Sequence, residues 1–144
     1  MDKKYMCYCG LYCENCATKA KVEPAAKVLY SEMKKAGFED IVQFLPDGEA
    51  FWRFLKSVSE EGACISCRDG SGNPGCRVRI CAQQKGVDMC AICQSYPCDK
   101  FDDFFKGYPM LKEDNTLLKQ SGLDAWSALQ EKRKANGYTY TENK

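Results

Sequence analysis

The chain has 144 residues, a formal net charge of +1 and no histidine. Such a balanced charge argues against a nucleic-acid-binding surface built on excess lysine and arginine. Without histidine, the chain cannot use Ser-His-Asp or Cys-His catalysis, or any metal site that depends on imidazole. The informative feature is the presence of 11 cysteines. They suggest cross-links, because large aliphatic residues are too sparse for a well-filled core.

The predicted elements are helices separated by cysteine-rich loops, beginning with a cysteine loop over residues 1–17. The first helix is predicted over residues 24–36, with Pro24 in its first turn and Gly37 after its end. Its apolar stripe consists of Val28, Leu29, Met33 and Ala36. The second helix is predicted to begin at Asp47 as the capping residue and to pack on the first. Its apolar stripe consists of Phe51, Phe54, Leu55 and Val58.

The second half of the sequence predicts turns and shorter helices. Glycine-rich residues 62–76 indicate turns, and short helices follow over 77–85 and 99–106. The last helix is predicted over 123–135. Its inward residues are expected to be Leu123, Trp126 and Leu129. Strand signals are few, so short β-knuckles at the metal sites are the most we expect.

These elements predict a mainly α fold, with a small α+β fold as the alternative, in which metal ions cross-link cysteine-rich loops and zinc knuckles. Residues 1–137 are predicted to form a single metal-binding domain, followed by a flexible tail over 138–144. The first residues lack the apolar stretch of a signal peptide, and no apolar run is long enough to cross a membrane. We therefore expect a cytoplasmic protein, in which clustered thiols stay reduced and hold metal more often than they form disulfides.

The spacing of the cysteines favours metal over disulfides. Three C-x-x-C pairs occur, at Cys13/Cys16, Cys64/Cys67 and Cys90/Cys93. Two intervening residues let the backbone turn around one ion, with both sulfurs about 2.3 Å from it. An odd number of cysteines also prevents complete disulfide pairing within one chain. The sequence therefore predicts structural four-thiolate sites, with zinc as the cofactor and two ions per chain.

Each predicted site combines cysteines from distant segments. The ligands of the first site are predicted to be Cys64, Cys67, Cys90 and Cys93. The ligands of the second site are predicted to be Cys9, Cys13, Cys16 and Cys81. Cys98 and Cys76 are the alternatives to Cys81, whereas Cys7 is not expected to be a ligand.

Zinc with four cysteine ligands has no open position for water or substrate, so it cannot act as a Lewis acid. We therefore expect no catalytic residues, and a protein-interaction or regulatory module that contacts an unknown protein partner but neither nucleic acid nor membrane. Two alternatives stay open. One is an iron–sulfur cluster, because sulfur spacing does not separate iron from zinc. The other is thiol-based redox chemistry, in which Arg77 and Lys100 would lower the pKa of thiols such as Cys7, Cys76 or Cys98.

The cysteine motifs resemble a bacterial and archaeal family of small cysteine-rich proteins, the domain of unknown function 3795. The resemblance covers residues 7–105. The segments that carry it are Cys9-Gly10-x-x-Cys13-x-x-Cys16, Cys64-x-x-Cys67, Cys76-x-x-x-Ile80-Cys81-Ala82, Cys90-x-x-Cys93 and Tyr96-Pro97-Cys98. The resemblance implies zinc binding in a bacterial or archaeal cytoplasm and implies no reaction. Cys7 lies outside the pattern and takes no role from it.

Overall fold

A computed structural model describes residues 2–141 and shows a mainly α protein, which confirms the predicted fold class. The six α-helices are α1 (Glu23–Lys35), α2 (Phe38–Ile41), α3 (Gly48–Glu60), α4 (Arg77–Gln84), α5 (Asp102–Gly107) and α6 (Leu111–Ala135). A π-helix spans Thr18–Val22, and 3-10 turns span Lys3–Tyr5, Cys13–Asn15, Val42–Phe44, Cys90–Ile92 and Asp99–Phe101. Over residues 2–141 the only extended pairing is one isolated antiparallel bridge, Met6 to Tyr12. None of these helices is long and apolar enough to cross a bilayer.

The contacts divide the chain into two compact units. One unit is Ala17–Cys64, and the other combines Met1–Cys16 with Ile65–Lys144. The unit Ala17–Cys64 has its own buried cluster, and the other unit has two such clusters. The single domain expected over residues 1–137 stays a prediction.

The helix limits follow local signals. Pro24 occupies the first turn of α1, where its missing N–H costs no hydrogen bond. Gly37 follows α1 with φ +73°, and Gly86 follows α4 with φ +62°. Only glycine adopts this left-handed backbone without strain, so it commonly ends helices. The predicted limits of these helices are confirmed to within two residues.

The buried faces of α1 and α3 differ from the predicted stripes. On α1, Val28 is 65% exposed, whereas Ala26 is buried. On α3, Phe54 is 69% exposed, whereas Trp52 is buried together with Leu55 and Val58. The predicted stripes were therefore wrong for the members Val28, Leu29, Ala36, Phe51 and Phe54.

The ring of Trp52 explains the rotated face of α3. Its centroid lies 4.8 Å from that of Tyr30 and 5.9 Å from that of Phe38. Trp52 therefore packs on α1 and α2, because a large aromatic ring gains more from burial than the smaller Phe54 ring. Helix α3 begins directly after Asp47, as predicted, but the expected capping bond is missing. Asp47 precedes the helix with φ +56° and makes no capping hydrogen bond through its side chain.

The helix α6 begins 12 residues before the predicted Leu123. Gly122, with φ 80° and ψ −179°, interrupts it, so the predicted helix corresponds to the segment after this break. Trp126 is fully buried as predicted, but Leu123 is 37% exposed. The segment before the break escaped prediction because its buried face carries the polar residues Asp114 and Asn115.

The first residues of the expected tail, 138–144, include packed positions. Thr139 and Tyr140 are buried, and the Tyr140 N–H donates to the Asn15 carbonyl at 3.1 Å. This backbone bond fixes the first part of residues 138–144, while residues 142–144 lie outside the described part of the chain. The expected β-knuckles are not confirmed. At the pairs that begin with Cys13 and Cys90 the backbone forms 3-10 turns, whose N–H to carbonyl bonds close within three residues.

Candidate functional site

Cysteines form much of the interior of the unit that combines Met1–Cys16 with Ile65–Lys144. Ten of the 11 cysteines belong to this unit. Cys7, Cys9 and Cys13 are buried in one cluster with Val78 and Phe101. The half-buried cysteines that pack against the cluster are Cys67, Cys76, Cys90 and Cys98. The thiols therefore occupy positions that aliphatic side chains fill in most domains.

A tight turn places the first cysteines. The Cys7 N–H donates to the Leu11 carbonyl at 2.8 Å, and the Gly10 N–H donates to the Cys7 carbonyl at 3.0 Å. Gly10 has φ +97°, and a Cβ atom there would lie 1.9 Å from Asn115 Oδ1. Asn115 Nδ2 donates to the Cys9 carbonyl at 2.9 Å. Helix α6 therefore holds this turn through a close contact that glycine alone permits.

A buried polar network holds the next turn along the chain, Cys13–Asn15. Asn15 Nδ2 donates to Gln130 Oε1 at 2.9 Å, and Gln130 Nε2 donates to Asp114 Oδ2 at 3.0 Å. Arg133 forms an ion pair with Asp114, whose side chain is only 1% exposed. Apart from the buried Asn15 Oδ1, which has no hydrogen-bond partner, the side-chain groups of this network pair with one another, which fixes their geometry.

Four cysteines line one cavity of about 260 Å³, and two of them also pack against the buried cluster. The four are Cys81, Cys90, Cys93 and Cys98. Cys81 comes from α4, Cys90 and Cys93 flank a 3-10 turn, and Cys98 precedes the next turn. The cavity is otherwise lined largely by apolar groups, including Val78 and Phe101, together with two lysines and the carboxylate of Asp99.

Backbone bonds fix the cysteine turn of this cavity. The Cys90 N–H donates to the Tyr8 carbonyl at 2.7 Å, and the Cys93 N–H donates to the Cys90 carbonyl at 2.9 Å. Burial raises the pKa of the Cys90 thiol to about 12, and the negative charges that Cys9 and Cys93 can carry add to this effect. A cation among these sulfurs would reverse the effect, because a metal ion favours the thiolate form of its ligand.

A second group of sulfurs meets around Cys7. The sulfurs of Cys7 and Cys13 are 3.4 Å apart, and both side chains are buried. Hydrogen bonds that the neutral Cys7 thiol shares with Cys13, Cys67 and Cys9 raise the pKa of Cys7 well above its usual value. Cys67 shows the opposite effect. The Cys7 thiol donates to the Cys67 sulfur and lowers the pKa of Cys67 to about 6, with further help from the Tyr8 N–H and Arg79.

The structure groups the cysteines differently from the two predicted ligand sets. Of the first predicted set, Cys90 and Cys93 share the cavity, whereas Cys67 packs beside Cys7. Cys64 ends the unit Ala17–Cys64, where its N–H donates to Glu23 Oε1 at 3.2 Å.

The second predicted set is also divided. Cys9 and Cys13 lie in the buried cluster, Cys16 is exposed, and Cys81 lines the cavity. Cys98, an alternative ligand in the sequence prediction, lines the cavity with Cys81. The sequence does contain one sign of this grouping, because all four cavity cysteines lie within residues 81–98. Both predicted ligand sets stay predictions.

Over residues 2–141, no three cysteine, aspartate, glutamate or histidine side chains already stand in a metal-binding arrangement. Whether a metal ion fits the cavity is judged from the chemistry of the side chains that line it. Four thiols around one cavity are soft ligands of the kind that bind zinc or iron. The residues of the cavity therefore fit a thiolate-bound metal in number and chemistry.

Residues 5–103 match a family described as a protein of unknown function (DUF3795). The chain belongs to this family. The matched residues include every cysteine of the chain, from Cys7 to Cys98. Helix α6 lies beyond the match, together with the buried network residues Asp114, Gln130 and Arg133. No curated protein and no solved structure matches the chain.

Proposed function

We propose that this protein binds a metal ion through cysteine thiolates and that its cavity cysteines are the ligands. These ligands are Cys81, Cys90, Cys93 and Cys98. The observation that carries the proposal is their convergence from successive segments on one cavity of about 260 Å³. Zinc is the first candidate, because four cysteines form a closed structural zinc site.

The surroundings of the four thiols support this assignment. A four-thiolate zinc site has a formal charge of −2, and Lys85 lines the cavity without an acidic partner there, whereas Lys100 is paired with Asp99 at 3.3 Å. Because cysteine would occupy all four coordination positions, the ion would stabilise the fold and would not polarise a substrate. The protein would then act as a protein-interaction or regulatory module with a protein partner.

Elemental analysis of the untagged protein tests the proposal. We expect about one zinc ion per chain at this site, and loss of that ion in Cys90→Ser and Cys93→Ser, because each removes one of four ligands. Cys76→Ser is the matched control, since Cys76 is equally half-buried but does not line the cavity. Equal metal content in all three variants and the wild type would contradict the assignment.

An iron–sulfur cluster is the second candidate, and the volume of the cavity favours it. Thiolates close directly on a single zinc ion at about 2.3 Å, whereas a cluster of several iron and sulfide atoms needs enclosed space. Protein purified without oxygen should then be brown and absorb visible light, and Cys90→Ser should abolish this absorption. Colourless protein with stoichiometric zinc would exclude the cluster.

A further inference from the structure

Arg79 carries a buried positive charge that no carboxylate balances. It lies on α4 and is only 6% exposed. Its guanidinium donates to the carbonyls of Cys67 at 3.2 Å, Ser71 at 2.6 Å and Asn73 at 2.9 Å. Over residues 2–141, no aspartate or glutamate forms an ion pair with it. Arginine keeps its charge in proteins and is rarely buried without an opposite charge. Arg79 therefore indicates an anionic group beside Cys67.

Four thiols meet next to this charge. Cys67 packs against the buried cluster that contains Cys7, Cys9 and Cys13, and Arg79 hydrogen-bonds to its sulfur. The Cys7 thiol is their common neighbour, because it hydrogen-bonds to the other three. All four differ from the cysteines that line the cavity. Thiols become anionic when they bind a metal ion, so this cluster can supply the missing negative charge.

The one measured sulfur pair has a spacing close to that of a metal site. The sulfurs of Cys7 and Cys13 are 3.4 Å apart. Around an ion with four sulfurs at about 2.3 Å, neighbouring sulfurs lie about 3.8 Å apart. The pair is therefore a few tenths of an ångström short of one edge of such a tetrahedron. Over residues 2–141 no metal-binding arrangement is already complete, so binding requires rotation of these side chains.

Contacts of the adjoining residues hold Cys67 against Cys7. Arg68 Nε donates to the Met6 carbonyl at 2.7 Å, and the Arg68 guanidinium lies 4.6 Å from the centre of the Tyr8 ring. These two partners flank Cys7 in the chain. The Tyr8 N–H also donates to the Cys67 sulfur, a type of bond that orients the ligands of metal sites. The two segments are therefore fixed to each other without an ion.

Cys9 is the fourth member of the set. It is 6% exposed, and Asn115 holds its carbonyl through a hydrogen bond of 2.9 Å. Cys76 also packs against the cluster, but among the described thiols it is not one of those that hydrogen-bond to Cys7. Cys76 therefore serves as the control and not as a ligand.

We propose that Cys7, Cys9, Cys13 and Cys67 bind a second metal ion, with Arg79 as its counter-charge. Zinc is the first candidate, because four thiolates fill its tetrahedral coordination. The four thiols lose four protons on binding Zn²⁺, which gives the site a formal charge of −2 that the guanidinium partly balances. The site shares no ligand with the cavity, so it does not depend on the function proposed above.

Native mass spectrometry of the untagged protein, purified with zinc, counts the ions on each folded chain. We expect two zinc ions in the wild type and one in Cys7→Ser, which lacks a ligand of the second site only. Cys76→Ser, at a half-buried cysteine that packs against the same cluster, should keep both ions. Two ions in Cys7→Ser would refute the assignment of this ligand.

Cys90→Ser separates the second site from the cavity. It should keep one ion, and the double variant with Cys7→Ser should keep none. A single wild-type ion that Cys90→Ser loses and Cys7→Ser keeps would overturn the second site and leave the cavity site standing. A single ion that only Cys7→Ser loses would support the second site and contradict the cavity site. A wild type without zinc would overturn both.

Alkylation of the zinc-loaded wild type tests the site without any variant. Trypsin releases Cys67 in the peptide of residues 57–68 and Cys76 in the peptide of residues 69–77. Both cysteines are half-buried, so access alone predicts similar labelling. We expect Cys67 to resist iodoacetamide while Cys76 reacts, because zinc holds the sulfur of Cys67. Equal labelling of the two cysteines with zinc bound would show that Cys67 is not a ligand.

Two substitutions of Arg79 test the counter-charge. Arg79→Lys keeps the positive charge and Arg79→Gln removes it, while both break the forked contact with the three carbonyls. We expect Arg79→Gln to release one of its two ions at about 10–100-fold lower chelator concentration than Arg79→Lys. A purely structural role would affect both variants alike, so equal release would refute the role of Arg79 as counter-charge.

Discussion

Replacing Gly10 with alanine is expected to lower the free energy of unfolding by about 3 kcal/mol. The left-handed backbone of Gly10 costs any other residue about 1–2 kcal/mol. The new Cβ atom would also lie 1.9 Å from Asn115 Oδ1, so the asparagine must move. Its hydrogen bonds to the Cys9 carbonyl at 2.9 Å and with the Tyr96 hydroxyl at 3.0 Å would then weaken, each at about 1 kcal/mol. Urea unfolding followed by helical circular dichroism measures the effect.

Gly70→Ala is the matched control for Gly10→Ala. Gly70 has φ +94°, but a Cβ atom there would meet nothing within 4 Å. Only the backbone term applies, so we expect a loss of about 1 kcal/mol. Equal losses in the two variants would show that the contact between Gly10 and Asn115 contributes nothing to stability.

Replacing Trp52 with alanine is expected to destabilise the unit Ala17–Cys64 by about 4 kcal/mol. Removing a buried tryptophan loses its hydrophobic burial and leaves a cavity, at about 3–5 kcal/mol. Trp52 is 7% exposed and contacts the rings of Tyr30 and Phe38, so little of this loss can be recovered. Thermal unfolding followed by circular dichroism should show a lower or separate transition for this unit.

Phe54→Ala provides the comparison on the same helix. Phe54 is 69% exposed, and truncating an exposed side chain changes the free energy of unfolding by about 0.5 kcal/mol or less. The two stripes of α3 thus predict opposite outcomes. If Phe54→Ala were the more damaging change, the buried face would be the one expected from the sequence, and the arrangement around Trp52 would be wrong.

The sequence predicted where helices begin and end better than which of their faces are buried. Pro24, Gly37 and Gly86 act through their own backbone, so their effect is visible locally. Apolar residues on α3 allow two overlapping stripes, and contacts with Tyr30 and Phe38 from other helices select the one that includes Trp52. A local pattern contains no information on such contacts.

The same limit applies to the thiols. The C-x-x-C spacing placed Cys90 beside Cys93 because the turn between them is local. Cys81 and Cys98 reach the same cavity through the packing of α4 and of the turn Asp99–Phe101, which the C-x-x-C motif does not encode. Cys7 lies outside every spacing motif, and only the folded turn brings its sulfur to 3.4 Å from that of Cys13.

The bond from the Tyr12 N–H to the Tyr140 hydroxyl, 2.8 Å long, also has a consequence for biosynthesis. Its two residues are 128 positions apart, so the ribosome makes Tyr140 long after Tyr12. At about 5–20 residues per second, the interval is roughly 6–26 seconds. During that time the neighbouring thiols of Cys7, Cys9 and Cys13 lack this closing contact and stay accessible to metal ions and oxidants in the cell. In the nascent chain, these thiols can therefore bind metal or be oxidised before the interior forms around them.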